Sequence, residues 1–336
     1  MNLSEKIEGV VFGLAFGDGI AAPSAYNRVG ILAPKRAMRM RSLQEFADRN
    51  MHTTRPFPYT HAQPGEMLNP SPSDDTEWFA FVVDYFSKGG RSLDAWTELS
   101  QKRDNIRART GTKIALKNLA KGLLPPVSGH DNPHYIDDIS LVRAIAVTMM
   151  RLNSPNFIND VKKEVQISHS EDGLYCAIAI ASLFHSILHG KTKEEAVALA
   201  FSNLPKESWS ERLITQALQL SFRQSNTFTR AIILEAKFIE NIYAYPISAP
   251  ETLGLLLAHF VNSNTPEDLF YSSLLHKRKL DSLPPLAGAL AGLFYGPQWI
   301  PISAREKSEK LAGVNIPDLK GMTLGHIINQ IESCNE

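Results

Sequence analysis

Residues 281–296 read Asp-Ser-Leu-Pro-Pro-Leu-Ala-Gly-Ala-Leu-Ala-Gly-Leu-Phe-Tyr-Gly, with Gly288, Gly292 and Gly296 four residues apart in an apolar run. The prolines at its opening and the spacing of its apolar residues predict a helix over Pro284–Phe294. A stripe of the same kind stands near the other end of the chain, where Gly9, Gly13 and Gly17 share one face of a helix expected over Leu3–Phe16. Each glycine inside a helix is about 1 kcal/mol less favourable than alanine, so a stripe of three needs an offset of roughly 3 kcal/mol. Either stripe alone is explained by local packing of small residues. The sharper expectation is that the two face each other across the centre of the fold, which brings the loops at their ends together.

Between the stripes, helical periodicity is nearly continuous after residue 74. The spacing predicts helices over Thr76–Ser87, Leu93–Asn105, Lys113–Lys121, Ile139–Arg151, Leu174–Leu188, Lys193–Asn203, Ser210–Arg223, Thr229–Glu240, Pro250–Val261 and Pro266–Leu275, with short ones at Ala304–Leu311 and Thr323–Glu332. Start signals recur: Thr192 with Glu195 and Ser208 with Glu211 form S/T-x-x-E boxes, and Thr265 precedes Pro266. Runs of alternating β-branched residues are nearly absent, and no Gly/Ser-rich linker or internal repeat divides the chain. An all-α single domain over residues 1–336 is the expectation. Residues 27–73, rich in Met and Pro and punctuated by Arg36, Arg39 and Arg41, are an irregular stretch whose place before an acidic motif suits a covering loop.

The composition supports a large core, with 43% hydrophobic residues among 336. Lys+Arg and Asp+Glu both number 35, so no bulk charge draws the chain to nucleic acid or to an anionic membrane. Cys176 and Cys334 make neither a disulfide framework nor a metal-finger spacing. The first residues have no basic segment followed by an apolar run, and no later run is read as a membrane span. A cytoplasmic location is expected.

Ser73-Asp-Asp-Thr-Glu-Trp78 places adjacent carboxylates where an apolar helix begins. Asp74 with Glu77 fits a helix-capping pattern, and acids at a helix start are favoured by its dipole. Two Asp flanked by Ser73 and Thr76 are also a hard oxygen cluster of the kind that binds magnesium or manganese. Asp281-Ser282, at the start of the small-residue helix, is a second such cluster, and two helix starts converging on one cation site is the expectation.

Taken together these segments resemble the ADP-ribosylglycohydrolase (dinitrogenase-reductase-activating glycohydrolase) family. Gly9-Val-Val-Phe-Gly-Leu-Ala-Phe-Gly-Asp-Gly-Ile-Ala-Ala-Pro23 is similar to the family's opening helix and its Gly-Asp-Ala-x-Gly-x-Pro turn. Ser73-Asp-Asp-Thr76 resembles the Thr-Asp-Asp-Thr metal motif, and Ser168-His169 the Thr-His motif. Residues 281–296 resemble the Asp-Thr-Asp-Thr-x-Ala-x-x-Ala-Gly-Ala-x-x-Gly segment. The resemblance implies an orthogonal bundle of helices around a metal-lined central cleft, a binuclear magnesium or manganese centre, and hydrolysis of an ADP-ribosyl glycosidic bond. It places Ser73, Asp74, Asp75, Asp281 and Ser282 at metal-ligand positions, with Asp74 and Asp75 as the catalytic carboxylates that orient water. His169, Asp138, Tyr243 and Tyr245 fall where substrate contacts are expected, although helix capping for His169 and core packing for the tyrosines are equal alternatives.

Three departures bear on the chemistry. Lys279 stands where the family has the first aspartate of its Asp-Thr-Asp-Thr motif, Ala25 stands where a glutamate is common, and Gly-Asn-Gly-Ala-x-Met-Arg survives only as Asp137-Asp-Ile-Ser-Leu-Val-Arg143. Lys279 either takes one cation's place by charge mimicry, next to substrate, or points to solvent. One magnesium or manganese ion is therefore expected rather than two. The expected partner is an ADP-ribosylated protein or an ADP-ribose-like small molecule; the alternatives are a nucleotide-binding protein without turnover and a glycohydrolase of another substrate, with residues 127–143 setting specificity. His130, Asp131 and His134 form a loop cluster that lacks a well-spaced further zinc ligand and reads as hydrogen-bonded loop residues.

Overall fold

The structure, a computed structural model, describes residues 1–24, 72–222, 224, 226–239, 247–276 and 278–335. Ala25, Tyr243, Tyr245 and residues 27–71 of the expected covering loop lie outside the described residues. The helices are α1 (Leu3–Ser24), α2 (Asp74–Ser87), α3 (Ser92–Gln101), α4 (Thr110–Ala120), α5 (Val127–His130), α6 (Ile139–Met150), α7 (Phe157–Val165) and α8 (Glu171–Leu188). There follow α9 (Lys193–Ser202), α10 (Trp209–Ser221), α11 (Thr227–Lys237), α12 (Ala249–Asn262), α13 (Pro266–Ser273), α14 (Leu283–Tyr295), α15 (Ile302–Lys307) and α16 (Leu324–Asn335). Among the described residues there is no β-strand, only the isolated bridges Asp137–Ser248 and Lys310–Thr323. The fold is all-α, as the periodicity predicts.

The glycine stripes do face each other. A Cβ built on Gly9 would stand 2.1 Å from the Gly292 carbonyl oxygen, one on Gly13 2.1 Å from that of Gly288, and one on Gly17 2.2 Å from that of Pro284. These pairings make α1 and α14 antiparallel and in direct backbone contact. Gly296 is not part of the stripe: it ends α14 with φ 89°, where a side chain would be strained. Because the contact continues to Gly17, α1 runs on through Asp18 to Ser24, past the end expected at Phe16. The antiparallel register sets the buried Asp18 beside the start of α14, where Ser282 is also buried.

Every residue of α6 is buried, and α8 packs against it. By length and composition α8 is the one described helix able to cross a membrane, and 72% of it is buried inside the fold, as in a core helix. The predicted caps form: Thr192 and Glu195 make a full capping box, while Ser208 accepts from the Glu211 amide and Thr265 from the Asp268 amide. The helix α7 was not anticipated. Its polar residues Asn159, Asp160, Lys162 and Lys163 mask an apolar face of Val161 and Val165, to which the buried Glu164 belongs.

Arg230 on α11, His259 on α12 and His276 after α13 form a buried chain. Arg230 Nε donates to His259 Nδ1 at 3.3 Å, the two imidazole Nε2 atoms are 2.7 Å apart, and His276 Nδ1 is 3.0 Å from Glu235 Oε2. Burial, then His276 and Arg230, hold the His259 imidazole well below the usual histidine range. Folded His259 therefore stays neutral as pH falls, while the unfolded chain takes up a proton below its ordinary value of about 6.5, so stability is lost with acidification. The stability gap between wild type and His259→Gln is expected to narrow by up to about 2 kcal/mol from pH 6.5 to pH 5 in urea denaturation; a gap independent of pH would contradict this.

Candidate cation and active site

The starts of α2, α4, α6 and α14 converge on the C-terminal half of α1. Asp18 accepts hydrogen bonds from the Ser73 amide at 2.7 Å, the Thr76 amide at 3.0 Å and Thr76 Oγ1 at 2.7 Å, and also from Ser73 Oγ. It thus caps α2 from another helix, satisfying amides that a helix start leaves without intrahelical partners. This corrects the capping pattern expected of Asp74 and Glu77. Ser73 makes no side-chain cap bond within its own helix. The buried Glu77 instead accepts from the amides of Val314, Asn315 and Ile316 at 2.8, 2.7 and 2.9 Å.

Freed from capping, Asp74 and Asp75 turn toward Asp18, and ligand oxygens of the three lie within 4.8 Å of one another. Asp74 is 25% exposed, whereas Asp75 is only 1% exposed and neither of its oxygens has a hydrogen bond. Its contact is an ion pair with Arg109 Nη2 at 3.5 Å. Burial and the Asp74 charge push the Asp18 carboxyl up to about 6. Burial raises Asp75 well above the carboxylate range against the opposing pull of Arg109, and raises Asp137 to about 6 in the same way. Crowded, desolvated acids behave so when too little positive charge accompanies them. An all-oxygen set with an orphaned buried carboxylate fits a hard divalent cation such as magnesium or manganese.

Arg109, the residue before α4, reaches both acid pairs: Nε to Asp74 at 3.1 Å, Nη1 to Asp137 at 3.4 Å and to Asp138 at 2.5 Å. Asp138 has both oxygens engaged, since Ser282 Oγ donates to Oδ1 at 2.9 Å and Thr252 Oγ1 to Oδ2 at 2.6 Å. Ser282 thus joins the cluster through Asp138, while Asp281 beside it is exposed. Lys279 does not point to solvent: it is 1% exposed, with its ammonium 2.9 Å from Glu251 Oε2.

His169 is fully buried behind the cluster, with Nδ1 2.7 Å from Ser168 Oγ and 3.0 Å from Arg143 Nη2. It does not cap α8, whose N-cap position is Ser170. Burial and then Arg143 hold its imidazole well below the histidine range, so it is neutral. Arg143 also donates to Glu164 Oε1 at 3.1 Å and lies 4.7 Å from the Trp96 ring centre. Trp96 Nε1 and Tyr85 donate to that same carboxylate. The His130, Asp131 and His134 side chains do not gather into a metal-ligand group.

Sequence reasoning left Asp18, Arg109 and Asp137 without a role. Asp18 carries a usable signal, a carboxylate between Gly17 and Gly19 at the end of an apolar face. Arg109 carries none, being one of several basic residues in residues 102–113.

The sequence model of the ADP-ribosylglycohydrolase family matches residues 1–330. A solved structure described as an ADP-ribosylglycohydrolase-related protein complex is similar, with a TM-score of 0.65 over 99% of this chain and 99% of that chain at 16% identity. At that identity the likeness concerns the fold. The comparison with curated proteins gave no match.

Proposed function

The chain belongs to the ADP-ribosylglycohydrolase family, and from that premise we propose that it hydrolyses an ADP-ribosyl N- or O-glycosidic bond with the help of a divalent cation. The observation that carries this reading is Asp75, buried beside Asp18 and Asp74 with neither oxygen hydrogen-bonded. Magnesium or manganese held by Asp18, Asp74 and Asp75 would supply Lewis acidity and a more acidic bound water. The remaining work falls to the protein. Asp74, the most exposed acid of the three, would accept a proton from water attacking an oxocarbenium-like centre. Asp75 holds the charge that the cation requires, and Asp18 locks the turn carrying both. The partner is an ADP-ribosylated protein or a related small molecule.

Release of ADP-ribose from ADP-ribosyl-arginine, ADP-ribosyl-serine and O-acetyl-ADP-ribose should be followed with manganese and with chelator. Cleavage of one of them that stops on chelation is the expected outcome. Binding of ADP-ribose without cleavage of any would select a second reading, a nucleotide-binding protein without turnover. The buried Lys279–Glu251 pair, in place of an acidic ligand, favours that alternative.

A further inference from the structure

We infer that Arg109 is the resident cation of the Asp137–Asp138 half of this cluster, so that the site takes a single divalent cation on its Asp18–Asp74–Asp75 side. The inference rests on the cation-site reading above and deepens it. Two acid pairs meet at Arg109, and their states differ. Asp138 has both oxygens engaged, by Arg109, Ser282 and Thr252. Asp137 accepts at Oδ1 from the Ile139 amide at 3.0 Å and from Arg109. Asp75, across the guanidinium, is the carboxylate whose two oxygens both lack a hydrogen bond. Asp137 keeps one bare buried oxygen, Oδ2, where Asp75 keeps two, so the unmet demand for positive charge is greatest on the Asp75 side.

The chemistry of the side chain suits the role. A guanidinium is a planar fork with several donors in fixed directions, always charged at physiological pH, and can serve carboxylates on more than one edge at once. Arg109 does this with 10% exposure, its Nε and Nη2 turned to Asp74 and Asp75 and its Nη1 to Asp137 and Asp138. A metal ion in the same place would offer an open position to water or a substrate hydroxyl; a guanidinium offers charge alone. Cation-assisted chemistry is thereby confined to the Asp74–Asp75 edge. Lys279 cannot fill the same role, because its charge is balanced by Glu251.

The test is manganese titration of the full chain by calorimetry, with electron paramagnetic resonance to separate an isolated ion from an exchange-coupled pair. Wild type is expected to bind one ion with an isolated-ion spectrum, Arg109→Lys to keep that stoichiometry, and Arg109→Gln to gain a second ion and a coupled spectrum. Two coupled ions in wild type would overturn the inference without needing any variant, and leave the cation-dependent reading standing. One ion in wild type and still one in a folded Arg109→Gln protein would also overturn it. No ion in wild type, whether or not Arg109→Gln binds one, would overturn the inference and the cation-dependent reading together.

Discussion

Gly13→Ala is expected to destabilise the protein by about 2 kcal/mol or more, although alanine is the better helix former by about 1 kcal/mol. The two effects oppose each other, and geometry decides the sign. The new methyl would lie 2.1 Å from the Gly288 carbonyl oxygen and 2.6 Å from its carbon, both backbone atoms of a helix that cannot rotate away. Relief requires α1 and α14 to separate along their whole contact, since Gly9–Gly292 and Gly17–Pro284 are packed equally closely. Overpacking typically costs about 1–3 kcal/mol, and a clash with fixed backbone on both helices puts this case at the upper end, above the propensity gain. Thermal melting should show a fall of roughly 3 °C or more for a chain of this size. Gly325→Ala is the control: on α16 its Cβ meets nothing nearer than Thr323 Oγ1 at 4.0 Å. There propensity acts alone, and a gain of up to about 1 kcal/mol is expected. Equal effects of the two substitutions would contradict backbone contact between α1 and α14.

Asp75→Asn is expected to abolish manganese binding and lower cation-dependent hydrolysis by roughly 100-fold or more, while making the metal-free protein more stable. Burial disfavours ionisation of Asp75 more than Arg109 restores it, so its folded pKa lies above its unfolded one. A group shifted in that direction costs stability once pH exceeds the unfolded value of about 3.9, and the penalty grows until the folded group also ionises. Asparagine carries no such penalty. In chelator, the stability advantage of Asp75→Asn should therefore widen as pH rises, on the order of 1 kcal/mol per pH unit over the window between the two pKa values. With manganese present, wild type should recover by ligand linkage and the variant should not. A variant that is less stable than wild type at every pH in chelator would show that Asp75 is a structural acid and not a strained ligand.

Much of the architecture was legible in one dimension because helical burial repeats every few residues. The apolar faces of α2, α6, α8 and α12 and the caps at Thr192, Ser208 and Thr265 depend on neighbours within one or two turns, and each formed at or near its expected place. The glycine stripes went further, since unfavourable residues at regular spacing imply a partner backbone. The limits of local reasoning show at α7, where a buried Glu164 looks like surface charge until Arg143, Trp96 and Tyr85 are seen around it.

The acidic pair Asp74–Asp75 was visible in the sequence as a hard-oxygen cluster, but its freedom from helix capping was not. That freedom depends on Asp18, which lies 55 residues away from Ser73 along the chain and takes over the α2 amides. Arg109 is the extreme case. An arginine in a loop is ordinary until four aspartates from two helix starts surround it. The sequence by itself determined most of the helices, the expectation that the two glycine stripes face each other, and the acidic pair available for a site. Only the tertiary structure decided which charges meet, because ion pairing in a desolvated cleft is set by distances between elements that periodicity places on a face but not beside one another.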